Sequence, residues 1–99
     1  MATQEAHGRE LARVLTLEAN KKTVLDFYQK KRFPQVRSEI KHIFADRDYV
    51  ILHVHARREP GEPGTAIVDI FRLEAGKIVE HWDVRQAIPE TPVNSNGML

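Results

Sequence analysis

Cysteine is absent from the chain, and its absence excludes disulfides, thiolate nucleophiles and cysteine-based metal sites. Nor does any apolar run approach the roughly 20 residues that a membrane-spanning helix requires, so no membrane partner is expected. The opening stretch, MATQEAHGRE, is polar and has no apolar centre of the kind that marks a secretory signal. A cytoplasmic location is the expectation. An excess of one charge is also missing: 15 lysines and arginines stand against 14 aspartates and glutamates, for a formal charge of +1. That balance gives no general electrostatic reason to expect nucleic acid as a partner.

What is present suits one domain. The 99 residues are 41% apolar and 29% charged, ordinary proportions for a globular protein. They leave no room for two domains, so residues 1–99 are read as one. A chain this short buries a smaller share of its surface than a longer one, and a partner subunit would help to stabilise it.

Proline is missing from Gln4 to Lys31, and through this stretch apolar residues recur at helical spacing. Leu11, Val14, Leu15, Val24, Leu25 and Tyr28 read as one stripe, with Leu17 and Phe27 at its margins. Asn20 either continues the helix or caps a second one that starts at Lys21, since asparagine favours helix N-caps. The sequence leaves that join open. Pro34 closes the helical region, residues 1–33, because it disfavours a helical Phe33. The cations Lys30, Lys31 and Arg32 suit the negative end of the helix dipole better than they suit a nucleic-acid patch.

Beyond Pro34 the period becomes two. Val36, Ser38, Ile40, His42 and Phe44 alternate with Arg37, Glu39, Lys41 and Ile43, the pattern of a half-buried strand. Ala45 to Asp48 reads as a polar turn, and Tyr49 to Arg57, rich in β-branched residues, as a second strand. EPGEPG, Glu59 to Gly64, is a concentrated loop signal. Thr65 to Leu73 and Lys77 to Gln86 are two further strands, and the tail over 88–99 should be irregular and lie on the surface. The result is α+β: an N-terminal helix packed on a four-stranded antiparallel meander spanning 34–87.

The turn between the last two strands decides which side chains meet. A two-residue turn at Ala75-Gly76 would require a positive φ at Ala75, which alanine resists. A three-residue loop, Glu74-Ala75-Gly76, needs that conformation only at Gly76 and is the cheaper choice. It places Leu73 opposite Lys77, Phe71 opposite Val79, Asp69 opposite His81 and Ile67 opposite Asp83. One face then carries Asp69, His81 and Asp83 among Ile67, Phe71 and Val79. A carboxylate in such surroundings has its pKa raised by desolvation and becomes a stronger base near neutrality. A histidine beside it can orient an oxygen or exchange a proton, and two carboxylates can divide the roles of base and orienter. The ordinary alternative is a cross-strand Asp69–His81 pair worth roughly 0.2–1 kcal/mol.

Other candidates carry less. His42 alternates with Ile40 and Phe44, which puts it on the pocket-facing side as a satisfied core histidine. His53 and His55 share the face opposite Val50, Leu52, Val54 and Ala56. Histidines two apart on a strand can hold a metal, but further ligands and their supporting groups are not evident, so no metal is expected. Trp82 lies on the face opposite Asp83, suited to packing against a partner sheet.

The segment DIFRLEAGKIVEHWDVRQ, Asp69 to Gln86, resembles the closing hairpin of SnoaL-like proteins, which have the nuclear transport factor 2-like fold. ANKKTVLDFY, Ala19 to Tyr28, resembles that family's first helix, Arg37 to His55 its inner strands, and IPETPVNSNGML the end of one bacterial subgroup. The resemblance implies a curved, cone-shaped sheet wrapped by helices, enclosing a pocket and dimerising through the sheet. It implies cofactor-free aldol-type cyclisation or isomerisation, in which a hairpin aspartate removes a proton next to a carbonyl. On that analogy Asp83 is the base, Asp69 the supporting residue and His81 a third member. Ile67, Phe71, Val79 and His42 would line a pocket for a small apolar carbonyl compound.

The chain departs from the family between Tyr28 and Pro34, where relatives hold further helices, a first strand and pocket-lining residues, often a histidine and an asparagine. Here Gln29 to Phe33 spans the gap, so a single chain's pocket would lack a wall and expose apolar surface. A second copy is expected to cover it, as a homodimer or higher homo-oligomer with an exchanged helix. An open site also weakens catalysis. The alternatives to an enzyme are a non-catalytic ligand-binding or dimerisation module of the same fold, and a remnant of an internal deletion that folds only as an oligomer.

Overall fold

A computed structural model describes residues 4–30, 37–90 and 97–99. One helix, α1 (Gln4–Lys30), is followed by four strands, β1 (Arg37–Asp46), β2 (Tyr49–Arg57), β3 (Thr65–Glu74) and β4 (Lys77–Ala87). The strands pair antiparallel in the order β1-β2-β3-β4, a meander with β1 and β4 at its edges. This is the expected α+β arrangement, a helix on a curved sheet. The expected stop at Pro34, the cations Lys31 and Arg32, the strand-opening Val36 and the stretch 91–96 of the tail lie outside the described residues. Among the described residues, no helix is long and apolar enough to cross a membrane.

The helix runs without a break through Asn20, which is buried within it. Its packed face differs from the single stripe expected. Val24 is fully buried, Asn20 nearly so, and Leu17, Phe27 and Tyr28 are partly buried. At 3.6 residues per turn, Leu11 and Leu15 lie about 140° and 180° around the helix from Val24. They point outward, 55% and 60% exposed, with Val14 beside them at 44%. The helix thus has two apolar sectors, and only the C-terminal one meets the sheet. Much of that meeting is aromatic: the Phe27 ring approaches Phe71 edge-on at 5.9 Å.

The core is Val24 of α1, Val50, Leu52 and Val54 of β2, and Ile67, Phe71 and Leu73 of β3. Alternation along β2 and β3 puts these side chains on the helix-facing, inner side of the sheet. At β1 a bulge changes the parity, because Ile40 faces Val54 while His42 faces His53, leaving Lys41 as the extra residue. Ile43 and Ala45 therefore pack on the core, and His42 and Phe44 turn to the outer face. His42, expected on the pocket side, is exposed there and stacks on His53 with ring centroids 5.4 Å apart.

The last hairpin also departs from expectation. Glu74 pairs with Lys77 around a two-residue turn, with Ala75 at φ 49° and Gly76 at φ 77°. Both values fit a turn whose twist matches that of the flanking strands. A second bulge follows, since Leu73 faces Ile78 while Arg72 faces Glu80, and Val79 is the extra residue. The gain is burial: Leu73 is 1% exposed and Ile78 packs against the core. Val79, expected inward, is 44% exposed instead.

The radius of gyration, 16.9 Å, exceeds the roughly 13 Å of a compact domain of this length. The principal extents, 54 × 31 × 19 Å, give the elongated shape behind the excess.

Candidate functional site

Past the second bulge, Phe71 faces His81, Asp69 faces Asp83 and Ile67 faces Arg85. The register is two residues away from the one expected, a shift that preserves which face each side chain takes. Asp69, His81 and Asp83 therefore share the inner face, joined by Arg85. The three expected polar residues are neighbours, but their pairing is unequal.

His81 and Asp69 form the tighter unit. The His81 Nε2–H donates to Asp69 Oδ1 at 2.9 Å, on a diagonal between adjacent strands. The Asp69 side chain is 6% exposed, set between Ile67 and Phe71 on its own strand and opposite Leu52 on the next. The His81 ring lies flat on Phe71, with centroids 4.3 Å apart and planes 4° from parallel. Two constraints thus fix the imidazole: a carboxylate at one nitrogen and an aromatic face beneath it. With the proton on Nε2, a neutral ring presents Nδ1 as a lone pair. The His81 side chain is 42% exposed, so solutes can reach it.

Asp83 is placed differently. Its Oδ2 accepts from Arg85 Nε at 2.7 Å, and the side chain is 37% exposed. The Arg85 hydrogen bond holds its carboxyl below the usual aspartate range. A raised pKa was expected from apolar surroundings, and the adjacent guanidinium and open solvent reverse that shift. Asp83 is thus an ion-pair partner here, with no strengthening as a base.

Two further residues reach the same region. Burial pushes the Tyr28 phenol up, and its hydrogen bond with Ser38 works against that rise. The charges of Asp69 and Arg85 also act on Tyr28, which brings the end of α1 toward the polar cluster. Tyr28 had been read only as a core residue. Arg85 could have been found by continuing the period-two count one step beyond Asp83.

The inner face of β4 is poorly covered. The helix crosses the inner face mainly over β1 and β2, with fewer contacts to β4, and along β4 only Ile78 is partly buried. On the outer face His53 donates through Nε2 to the Met98 carbonyl at 2.9 Å, and His55 donates to the Pro63 carbonyl at 2.7 Å. Around them Phe44, Tyr49, Trp82 and Val84 stay between 41% and 64% exposed.

The sequence profile of the SnoaL-like domain matches residues 3–81. The chain belongs to the SnoaL-like domain family. The match takes in the helix, the first three strands and both members of the Asp69–His81 pair, and it stops short of Asp83. No curated protein matches this SnoaL-like chain. One helix on a four-stranded curved sheet is consistent with a shortened nuclear transport factor 2-like fold, a family fold that often serves cyclases and isomerases.

Proposed function

We propose that this SnoaL-like protein is a cofactor-free cyclase or isomerase that moves a proton next to a carbonyl group, with His81 as the base and Asp69 as its positioning residue. What supports this is one observation: a nearly buried carboxylate bonded to Nε2 of a reachable histidine. In the step envisaged, Nδ1 of His81 takes a proton from the carbon beside the carbonyl. The C–H bonding pair becomes a carbon–carbon double bond as the carbonyl π pair moves to oxygen, which forms an enolate. The enolate carbon then attacks a second carbonyl of the same molecule, whose alkoxide oxygen takes the proton back from His81, or the enolate regains the proton at another position. Asp69 holds the ring in the required tautomer and compensates the charge it acquires.

A homodimer or higher homo-oligomer belongs to the same proposal. A second copy, with α1 as the exchanged element, would cover the inner face of β4 and exclude water. The outward Leu11, Val14 and Leu15 support this, since such a patch favours burial. The second reading, a ligand-binding or dimerisation module without chemistry, is favoured by the exposure of β4 and by the lowered pKa of Asp83.

Deuterium uptake from heavy water into the activated carbon of simple diketones and keto esters tests the catalytic reading. Uptake that His81→Gln abolishes and Asp69→Asn strongly reduces is the expected result. Uptake equal to the buffer rate, with the oligomer intact, selects the module.

A further inference from the structure

At the end of the sheet a cleft of about 380 Å³ opens between the end of β2, the loop over 58–64 and the start of β3. That volume is near the lower end of small-molecule sites. Arg57, Arg58 and Arg85 line it together with Thr65, Ile67 and Glu62. Three guanidinium groups thus meet a single carboxylate among the described lining, in a chain whose formal charge is only +1.

The carboxylate is already engaged. Glu62 Oε1 accepts the backbone N–H groups of Arg58 and of Glu59, and these bonds hold its carboxyl below the usual glutamate range. These bonds tie together the loop that borders the cleft. Gly64 holds that loop close: at φ 85°, a Cβ there would sit 2.4 Å from the Ala56 carbonyl oxygen. Just beyond, Arg37 of β1 stands opposite Arg57 of β2, and like charges directly across a strand pair are unfavourable. Positive charge is therefore concentrated at this end of the sheet at some cost in stability.

The cleft adjoins the polar cluster. Arg85 lines it and also bonds Asp83, and Ile67 lines it beside Asp69 on the same strand face. Arg85 engages Asp83 through Nε and is largely exposed, and its two terminal amino groups are donors of the kind that suit a carboxylate. From His81 to Arg85 is four residues of strand, about 13 Å between Cα positions, and Arg57, one residue past the row of Ala56, Thr65 and Ala87, lies about 23 Å along the strands from His81.

We propose that this cleft binds the carboxylate of an oxo acid, with Arg57 and Arg58 as its principal anchors and Arg85 completing the fork. The ligand is a long linear keto acid, with its acid group in the cleft and its carbonyl many bonds away on the His81 side. This deepens the function proposed above and rests on it only for the carbon that loses its proton. Recognition of the carboxylate stands on the cleft alone.

Calorimetric titration of the intact protein with ω-acetylvalerate and with its methyl ester tests the inference. The acid should bind at least about tenfold more tightly than the ester, and high salt should weaken it. The double variant Arg57→Gln/Arg58→Gln should remove that preference, while Lys22→Gln on the exposed helix surface should leave it. Equal binding of acid and ester, no binding of either, or an unchanged double variant would overturn the proposal. Deuterium uptake into simple diketones separates this from the catalytic reading. Arginine-dependent binding of the acid without that uptake sinks the chemistry and keeps the cleft. Uptake into the diketones with equal binding of acid and ester keeps the chemistry and sinks the cleft.

Discussion

Replacing Ala75 with asparagine should stabilise the protein, and the reason lies in the turn that sets the whole site. Ala75 sits at φ 49° beside Gly76 at φ 77°. A left-handed conformation costs an ordinary L-residue roughly 1–2 kcal/mol. Asparagine tolerates it through local hydrogen bonding, and Asn-Gly is the favoured pair for this turn. Ala75→Asn should therefore gain about 1 kcal/mol. For a domain of this size, that corresponds to roughly 4–8 °C in melting temperature. Urea unfolding followed through the single tryptophan, Trp82, would measure it, with an unchanged m-value as the check on two-state behaviour. In a three-residue loop only Gly76 would be left-handed, and the same substitution would be neutral or unfavourable. Gly76→Ala cannot discriminate, because both geometries need a left-handed residue there. A neutral or destabilised Ala75→Asn variant would refute the two-residue turn, and the register placing Phe71 against His81 would fall with it.

Other expectations follow from the same contacts. His81→Ala removes the partner of a nearly buried carboxylate and should cost about 1–3 kcal/mol, toward the low end because water reaches this edge. Asp69→Leu leaves only a solvent-accessible imidazole unpaired and should cost less, so chemical denaturation of both variants should show that asymmetry. Arg85→Gln should raise the Asp83 pKa back toward the ordinary aspartate range, read by carboxyl NMR titration. In the parent protein that pair contributes stability above the unfolded aspartate pKa and loses it as pH falls through the lower folded value. Gly64→Ala combines a positive φ with a Cβ placed 2.4 Å from the Ala56 carbonyl oxygen. It should cost at least about 1–3 kcal/mol in thermal unfolding.

The fold was readable because its signals are periodic. A proline-free helical stretch and four period-two stretches separated by turn residues leave few arrangements open. What periodicity conceals is an inserted residue. The bulges at Lys41 and Val79 carry no glycine or other marker, yet the first sends His42 outward and the second replaces Val79 by Ile78 at the core. The helix stripe was misread for a related reason: Leu11 and Leu15 share its periodicity with Val24 without sharing its face. Asp69, His81 and Asp83 kept their common face because the shorter turn and the bulge together moved the register by two. Electrostatic roles were less legible. That Asp83 would be lowered rather than raised depends on Arg85 two residues away and on the absence of cover over β4, a tertiary property that strand alternation does not encode.

The central claim is that His81 keeps its proton on Nε2, against Asp69, and offers Nδ1 to a substrate. Long-range proton–nitrogen correlation NMR of the histidine ring, recorded above its titration range, reads the tautomer directly. Protonated Nε2 with a lone pair on Nδ1, lost or mixed in Asp69→Leu, is the predicted result. A proton on Nδ1 in the parent protein would contradict the account.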